Sequence, residues 1–384
     1  RTLSLSPMFS PIFKPDGPKI IVNCGSGGVG KTTLSAAMGL AGALVGKKTI
    51  VLTIDPARRL ADALGISAVD ADVQQVPLDQ LQIPRGMEPG ELHAMMLEPK
   101  RTFDELVMRY AAPEISEKIL SNRYYQHISN NMAGSHEYMA MEKLYETYHQ
   151  GIYDLIVLDT PPTRRALDFL EAPDRLLNVL GHSFFWKLIK PYLKAGKWSF
   201  RMFNIMASPI LRVVGQVIGK QALTDLIGFF QVWDDVLYQG FRRRARAVKA
   251  LLGSDEALFF AIATPQRLPL REAEFFWKKL QANKMPFGGF IVNRVHAFIH
   301  EDPAFSKVSL SHDNCRGANV DARLREKLLS IYRDLQKQSE SDAASIQELK
   351  SHVAASAKVK IIPVAEDEIV DLAALRNLVE SLKK

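Results

Sequence analysis

The chain has 384 residues, 47% of them apolar, two cysteines and a formal net charge of +7. Such a chain can bury one large core or two smaller ones and has no need of disulfide staples. No uncharged apolar run reaches the roughly 18 residues of a transmembrane helix, and the opening residues lack a signal peptide's basic and apolar regions, so a cytoplasmic, reduced setting is expected.

The charge is uneven. Residues 184–249 hold twelve Lys or Arg against Asp225, Asp234 and Asp235, which puts +9 in that span and about −2 in the remainder. Local basicity of this kind argues against a chain coated for nucleic acid, and for one segment that meets an acidic partner or a membrane surface.

The chain begins with Arg1 rather than Met, so a trimmed or incomplete start is expected, and Pro7, Pro11, Pro15 and Pro18 mark residues 1–18 as a lead-in. Ile20 to Cys24 predicts a buried strand, and Leu34-Ser35-Ala36-Ala37-Met38 predicts a helix. Between them Gly25-Ser26-Gly27-Gly28-Val29-Gly30-Lys31-Thr32-Thr33 fits G-x-x-x-x-G-K-[ST], a phosphate cradle. Glycines let backbone N–H groups turn inward on an anion, and the helix N-terminus adds the positive end of its dipole. Lys31 supplies a point charge and Thr32 a hydroxyl for Mg²⁺.

Gly46 closes the first helix. Thr49 to Thr53 predicts a second buried strand running into Asp55-Pro56-Ala57-Arg58-Arg59, and a carboxylate just past a strand's carboxyl end faces the ligand crevice of a parallel sheet. A short strand is expected near Val73 to Val76, another over Leu92 to Leu97, and a helix from Pro99 through Tyr110. Pro113 to Gln150 reads as helical. Tyr153 to Asp159 is then a buried strand ending in a carboxylate, followed by Thr160-Pro161-Pro162-Thr163. With the cradle upstream, Asp159 is placed to serve Mg²⁺ and the γ-phosphate.

Residues 175–252 read as a long helical insertion. Twelve of the chain's 33 aromatic residues fall between Phe184 and Phe241, among them Phe184, Phe185, Trp186, Trp198, Phe203, Phe229, Phe230 and Trp233. They either pack inside a helical subdomain with cations outside, or form a surface for a partner or membrane. Strands resume at Ala257 to Ala263 and Phe287 to Val295, with a helix from Pro269 to Asn283 between them. A charged helical stretch runs from Asp321 to about Ala357, before a last strand at Val359 to Val364 and a helix from Glu368 to Lys383. Strands alternating with helices predict an α/β fold: a doubly wound, mostly parallel sheet with an inserted α-helical subdomain. The expected division is a nucleotide-binding domain over 19–174 and 253–384, interrupted by the helical subdomain at 175–252.

Taken together, these motifs resemble the deviant P-loop ATPases of the arsenite-pump (ArsA) type, which include the guided-entry ATPase for tail-anchored membrane proteins. The resemblance spans nearly the whole chain: the cradle, Asp55-Pro56-Ala57 as switch I, Asp159-Thr160-Pro161-Pro162-Thr163 as switch II, Asn293 after a late strand, and Pro363 with Glu366 near the last. It implies that Asp55 orients the attacking water, Lys31 and Asp159 serve the γ-phosphate, and Asp55 and Asp159 hold Mg²⁺ through water. It also implies that Asn293 and the backbone at Pro363 read adenine. A guanine reader would carry Asp three residues after the Asn; His296 stands there, which favours ATP.

Two departures stand out. The family's cradle has a signature lysine that crosses a dimer interface, and this chain has Ser26 in its place. The expected consequence is slow hydrolysis by a homodimer, with the missing cation coming from a paralogue that keeps the lysine or from Arg58, Arg59, Arg164 or Arg165. Second, Cys24 and Cys315 form neither a thiol cluster for As(III) nor a C-x-x-C zinc pair. His296 and His300 near Glu301 lack a third ligand and read as surface histidines.

The expected function is that of a cytoplasmic Mg²⁺-dependent ATPase, peripherally membrane-associated, whose dimer switches with ATP and handles a hydrophobic or membrane client through residues 184–249. The alternatives are an energy-coupling or regulatory subunit of a membrane anion transporter, and a ParA/MinD-like positioning ATPase, whose mark would be DNA binding by Arg242-Arg243-Arg244.

Overall fold

In the computed structural model, which describes residues 6–54, 59–66, 71–81, 88–122, 125–126, 135–161, 239–296, 322–354, 357–365, 369 and 371–383, the apolar runs lie side by side in one sheet. Strands β1 (Ile20–Gly25), β2 (Thr49–Thr53) and β5 (Leu155–Asp159) are buried along their whole length. Such continuous runs belong at the centre of a parallel sheet covered on both faces.

Among the described residues, eight strands run in the order β3-β4-β2-β5-β1-β6-β7-β8, with β3 (Gln74–Gln75), β4 (Leu92–Met96), β6 (Ala257–Ala263), β7 (Phe287–Val295) and β8 (Val359–Pro363) completing the set. All pairs are parallel except β3 with β4. The chain leaves β1 toward β2 on one side and later returns to β6 on the other. The carboxyl end of β1 therefore opens a crevice where the winding reverses.

Each face of the sheet has its own core, because successive strand residues point to opposite sides. On one face Ile21, Val51 and Val157 meet helix α1 (Lys31–Leu44), helix α2 (Arg59–Leu64) and the last helix, Leu372–Lys383. Helix α1 is buried almost all round, and a Cβ on its Gly39 would lie 2.4 Å from Val51 Cγ2, so only glycine lets it seat this closely. On the other face Val22, Leu52 and Leu158 meet residues of four further helices, among them Leu144, Val248, Phe276 and Ile346.

Helix α3 (Pro99–Tyr110) takes Pro99 in its first turn, where no N–H is needed. The continuous helix expected over Pro113 to Gln150 is instead interrupted. Helix α4 (Pro113–Leu120) stops at Ser121, after which Asn122 Oδ1 accepts from the Tyr125 N–H at 3.4 Å and caps a new turn, and α5 (Ser135–Gln150) follows.

Of the expected helical subdomain only α6 (Gln239–Leu252) is described, so most of the aromatic and cationic span 184–249 lies outside the described residues. On α6, Ala245, Val248 and Leu252 face the core, while Arg243, Arg246 and Lys249 are exposed. Arg244 pairs with Glu142 of α5 and lies 4.2 Å over the Tyr110 ring. Helix α7 (Arg267–Ala282) starts one residue after Gln266, two residues before the expected Pro269.

Helix α8 (Ala322–His352) carries one stripe at spacings of four or three along its length, apolar except for Ser339 and Asp342. Its first half (Leu324, Leu328, Ile331, Leu335) is exposed, and its second half (Ser339, Asp342, Ile346, Leu349) is buried against the sheet and α7. Helix α9 is the closing Leu372–Lys383.

Candidate functional site

The predicted cradle occupies the turn between β1 and α1. Gly28 and Gly30 have φ of 79° and 92°, values that let the loop curl on itself. A Cβ on Gly30 would lie 2.4 Å from Asn293 Nδ2, so the close approach of β7 also requires glycine there. The Lys31 ammonium crosses the loop and donates to the Ser26 carbonyl at 2.8 Å. The Ser26 hydroxyl is buried and has no hydrogen-bond partner among the described residues.

Parallel register brings the acidic group to the helix. Asp159 is the last residue of β5, level with Asn23 of β1 and Thr53 of β2. Its Oδ2 accepts from Thr32 Oγ1 at 2.8 Å and from Thr53 Oγ1 at 3.0 Å, and the residue is 1% exposed. Thr160 turns back, its hydroxyl donating to the Asn23 carbonyl at 2.7 Å, which anchors the start of the loop after β5. Asn23 in turn donates to Ser35 Oγ of α1 at 2.9 Å, tying β1 to the helix that follows the cradle.

The end of β7 reaches the same loop. Asn293 Nδ2 donates to the Val29 carbonyl at 2.9 Å, and Arg294 Nη1 donates to the Gly28 carbonyl at 3.2 Å. β8 ends level with it, Pro363 pairing with Val295. His296 is not a free surface histidine: Nδ1 lies 2.9 Å from Asp342 Oδ2, and its backbone N–H donates to the same oxygen at 3.0 Å.

Cys24, one residue before the cradle, is fully enclosed. Burial pushes its thiol up to about 12, with a bond from Thr160 and the Lys31 charge opposing that rise. It is a packed apolar side chain, unsuited as a thiolate ligand. Among the described residues no group of three or more His, Cys, Asp or Glu is placed to hold a metal ion.

The structure therefore gathers Gly25, Ser26, Gly27, Gly28, Val29, Gly30, Lys31, Thr32, Thr33, Asp159 and Asn293 at the carboxyl ends of β1, β5 and β7, with Pro363 close by on β8. Asp55, Arg58, Arg164, Arg165, His300, Cys315 and Glu366 lie outside the described residues. Arg59 is exposed at the start of α2. Sequence reasoning missed Thr53 and Arg294. A polar residue ending an apolar strand marks the first, and adjacency to Asn293 marks the second.

A glycine-rich anion cradle, a lysine across it and a threonine–aspartate pair beside it is equipment for a nucleotide's phosphates. Comparison with known families agrees: residues 18–312 match the family model described as anion-transporting ATPase. The chain belongs to the anion-transporting ATPase (ArsA) family. Its activity is that of an ATPase. Similar proteins include a putative arsenical pump-driving ATPase 1 of Aquifex aeolicus, 23% identical over 94% of this chain and 78% of the relative. ATPase ASNA1 homolog 2 of Paramecium tetraurelia is 23% identical over 99% of this chain and 98% of its own. ATPase get3 of Schizosaccharomyces pombe is 25% identical, covering 71% of each chain. No described helix is long and apolar enough to cross a membrane.

Proposed function

We propose that the chain is a cytoplasmic, Mg²⁺-dependent ATPase whose dimer opens and closes with nucleotide and so handles a hydrophobic or membrane client through residues 184–249. The observation that carries this reading is the convergence of Thr32 and Thr53 on Asp159 beside the Lys31-crossed cradle. The residues fit Mg²⁺–ATP: Thr32 and Asp159 offer the oxygen donors a hard cation takes, directly or through water. When bound there, Mg²⁺ would neutralise charge on the β- and γ-phosphates.

The chain's own residues would divide the work. The cradle N–H groups and Lys31 hold the phosphates, and Asp159 orients Thr32. Asp55 is the proposed orienter of the attacking water. Asn293 commits its Nδ2 to Val29, which leaves Oδ1 as an acceptor for the 6-amino group of adenine. The proposed preference for ATP over GTP rests on His296, which stands where a guanine reader would carry Asp.

With Ser26 in the place of the signature lysine, no cation of this kind crosses to a partner's phosphates. A trans-acting cation is worth on the order of 10³ or more in rate in comparable enzymes. A homodimer is therefore proposed to hydrolyse slowly, and a heterodimer with a lysine-bearing paralogue faster. ATP turnover with Mg²⁺ and with chelator, for wild type, Lys31→Ala and Ser26→Lys, tests this. Loss of binding in Lys31→Ala and faster turnover in Ser26→Lys are expected. Unaltered ATP affinity in Lys31→Ala overturns the site, and turnover unmoved by Ser26→Lys overturns the missing cation.

The family's description and its pump-driving relatives support a second reading, an energy-coupling subunit of a membrane anion transporter. A DNA-positioning role has less support, because Arg244 of the Arg242-Arg243-Arg244 cluster is engaged with Glu142 and Tyr110. Nucleotide-dependent co-sedimentation with liposomes, plasmid DNA and a model hydrophobic helix separates the three.

A further inference from the structure

The end of β7 breaks the rule that consecutive strand residues point to opposite faces. Regular geometry would send Asn293 and Arg294 apart. Instead Arg294 has a φ of 58°, one of two positive values among described non-glycine residues, and the pairing of β7 with β8 slips between Val292 and Val295. The two neighbouring side chains thereby reach neighbouring carbonyls of one loop, Asn293 on Val29 and Arg294 on Gly28. Left-handed backbone is unfavourable for a residue with a Cβ, so the kink persists against a local penalty.

We propose that Arg294 is a positioning residue for nucleotide binding, which with Asn293 sets the cradle in its anion-binding shape before the nucleotide arrives. In a planar trans peptide the C=O and the next N–H point in opposite directions. Holding the Gly28 carbonyl from one side therefore aims the Val29 N–H to the other, and holding the Val29 carbonyl does the same for the Gly30 N–H. Two cradle donors are fixed by two adjacent side chains, and the left-handed turn at Arg294 is what lets both act on one loop. Preorganised donors lose less freedom on binding an anion.

This inference rests on the cradle being the nucleotide site. Its test is the full chain carrying Arg294→Gly, Arg294→Ala or Arg294→Lys, measured for thermal midpoint and for affinity toward ATP and inorganic tripolyphosphate. Glycine adopts the left-handed backbone freely, so Arg294→Gly is expected to melt at or above the wild-type temperature. It is expected to bind both ligands roughly three- to tenfold more weakly, the size of one ordinary hydrogen bond. Arg294→Lys, which keeps a donor, should recover part of that loss.

A glycine variant with wild-type affinity for both ligands overturns the proposal. So does a loss confined to ATP, which would assign Arg294 to the base. Lys31→Ala is the separate control: if it keeps wild-type affinity for ATP, the reading of the site itself has failed.

Discussion

The hydroxyl of Thr32 lies 2.8 Å from Asp159 Oδ2, joining positions 127 residues apart in the chain. Because Thr53 donates to the same oxygen at 3.0 Å, the carboxylate locks the start of α1 to the ends of β2 and β5. Asp159→Ala would leave two buried hydroxyls without their acceptor and is expected to cost about 1–3 kcal/mol of stability. Asp159→Asn keeps an acceptor oxygen, so its stability should stay within about 1 kcal/mol of wild type while ATP turnover drops at least about tenfold. Urea denaturation and phosphate release measure the two effects; wild-type turnover in Asp159→Asn would remove Asp159 from the chemistry.

Gly30 has two independent reasons to be glycine: its φ of 92° and the 2.4 Å that would separate a Cβ from Asn293 Nδ2. Gly30→Ala is expected to cost about 1–3 kcal/mol from the backbone alone and to weaken ATP binding further by displacing Asn293. Adding Asn293→Ala removes the clash and leaves the backbone penalty, so the double variant should regain only part of the lost thermal stability. Full recovery would show that the backbone angle carries no penalty.

Burial raises the Cys24 thiol from its ordinary 9.0 to about 12. The thiolate is the reactive form, so iodoacetamide at pH 8 should leave Cys24 unmodified in the folded protein and label it in urea, as peptide mass spectrometry would show. The same shift sets a pH dependence. Between 9.0 and about 12 the unfolded chain releases this proton and the folded chain keeps it. Stability from this group is therefore full below 9.0 and falls as pH rises through that window, by up to about 1.4 kcal/mol per pH unit. Cys24→Ala should flatten that alkaline decline.

The two halves of the α8 stripe should respond oppositely to charge. Ile346 is 4% exposed and Ile331 is 47% exposed. Ile346→Asp buries an unpaired carboxyl and is expected to destabilise by at least about 3 kcal/mol, whereas Ile331→Asp should stay within about 0.5 kcal/mol. Urea midpoints decide; equal losses would mean that the first half of α8 is covered in solution.

Much of this protein is legible along the chain because the information is local. The bounds of α3, β6 and β7 coincide with those predicted, since buried strands and a proline-led helix are each encoded by contiguous residues. The cradle's place between β1 and α1 follows from a single run, Gly25 to Thr33, and the other motifs in their order carry the family resemblance. Helix interruption after Ser121 was less legible, because an Asn that caps a new turn and one that continues a helix differ by little in free energy.

Tertiary structure alone decided which distant groups share an atom. That Thr53 and Thr32 both donate to Asp159 depends on the register of β2 against β5, and a slip of one residue would turn those side chains to the other face. That Arg294 joins Asn293 on the cradle depends on one left-handed backbone angle, which an Asn-Arg pair in sequence does not disclose. The motifs determined that the glycine cradle stands between β1 and α1; strand register and one backbone kink decided which side chains reach it and hold its shape.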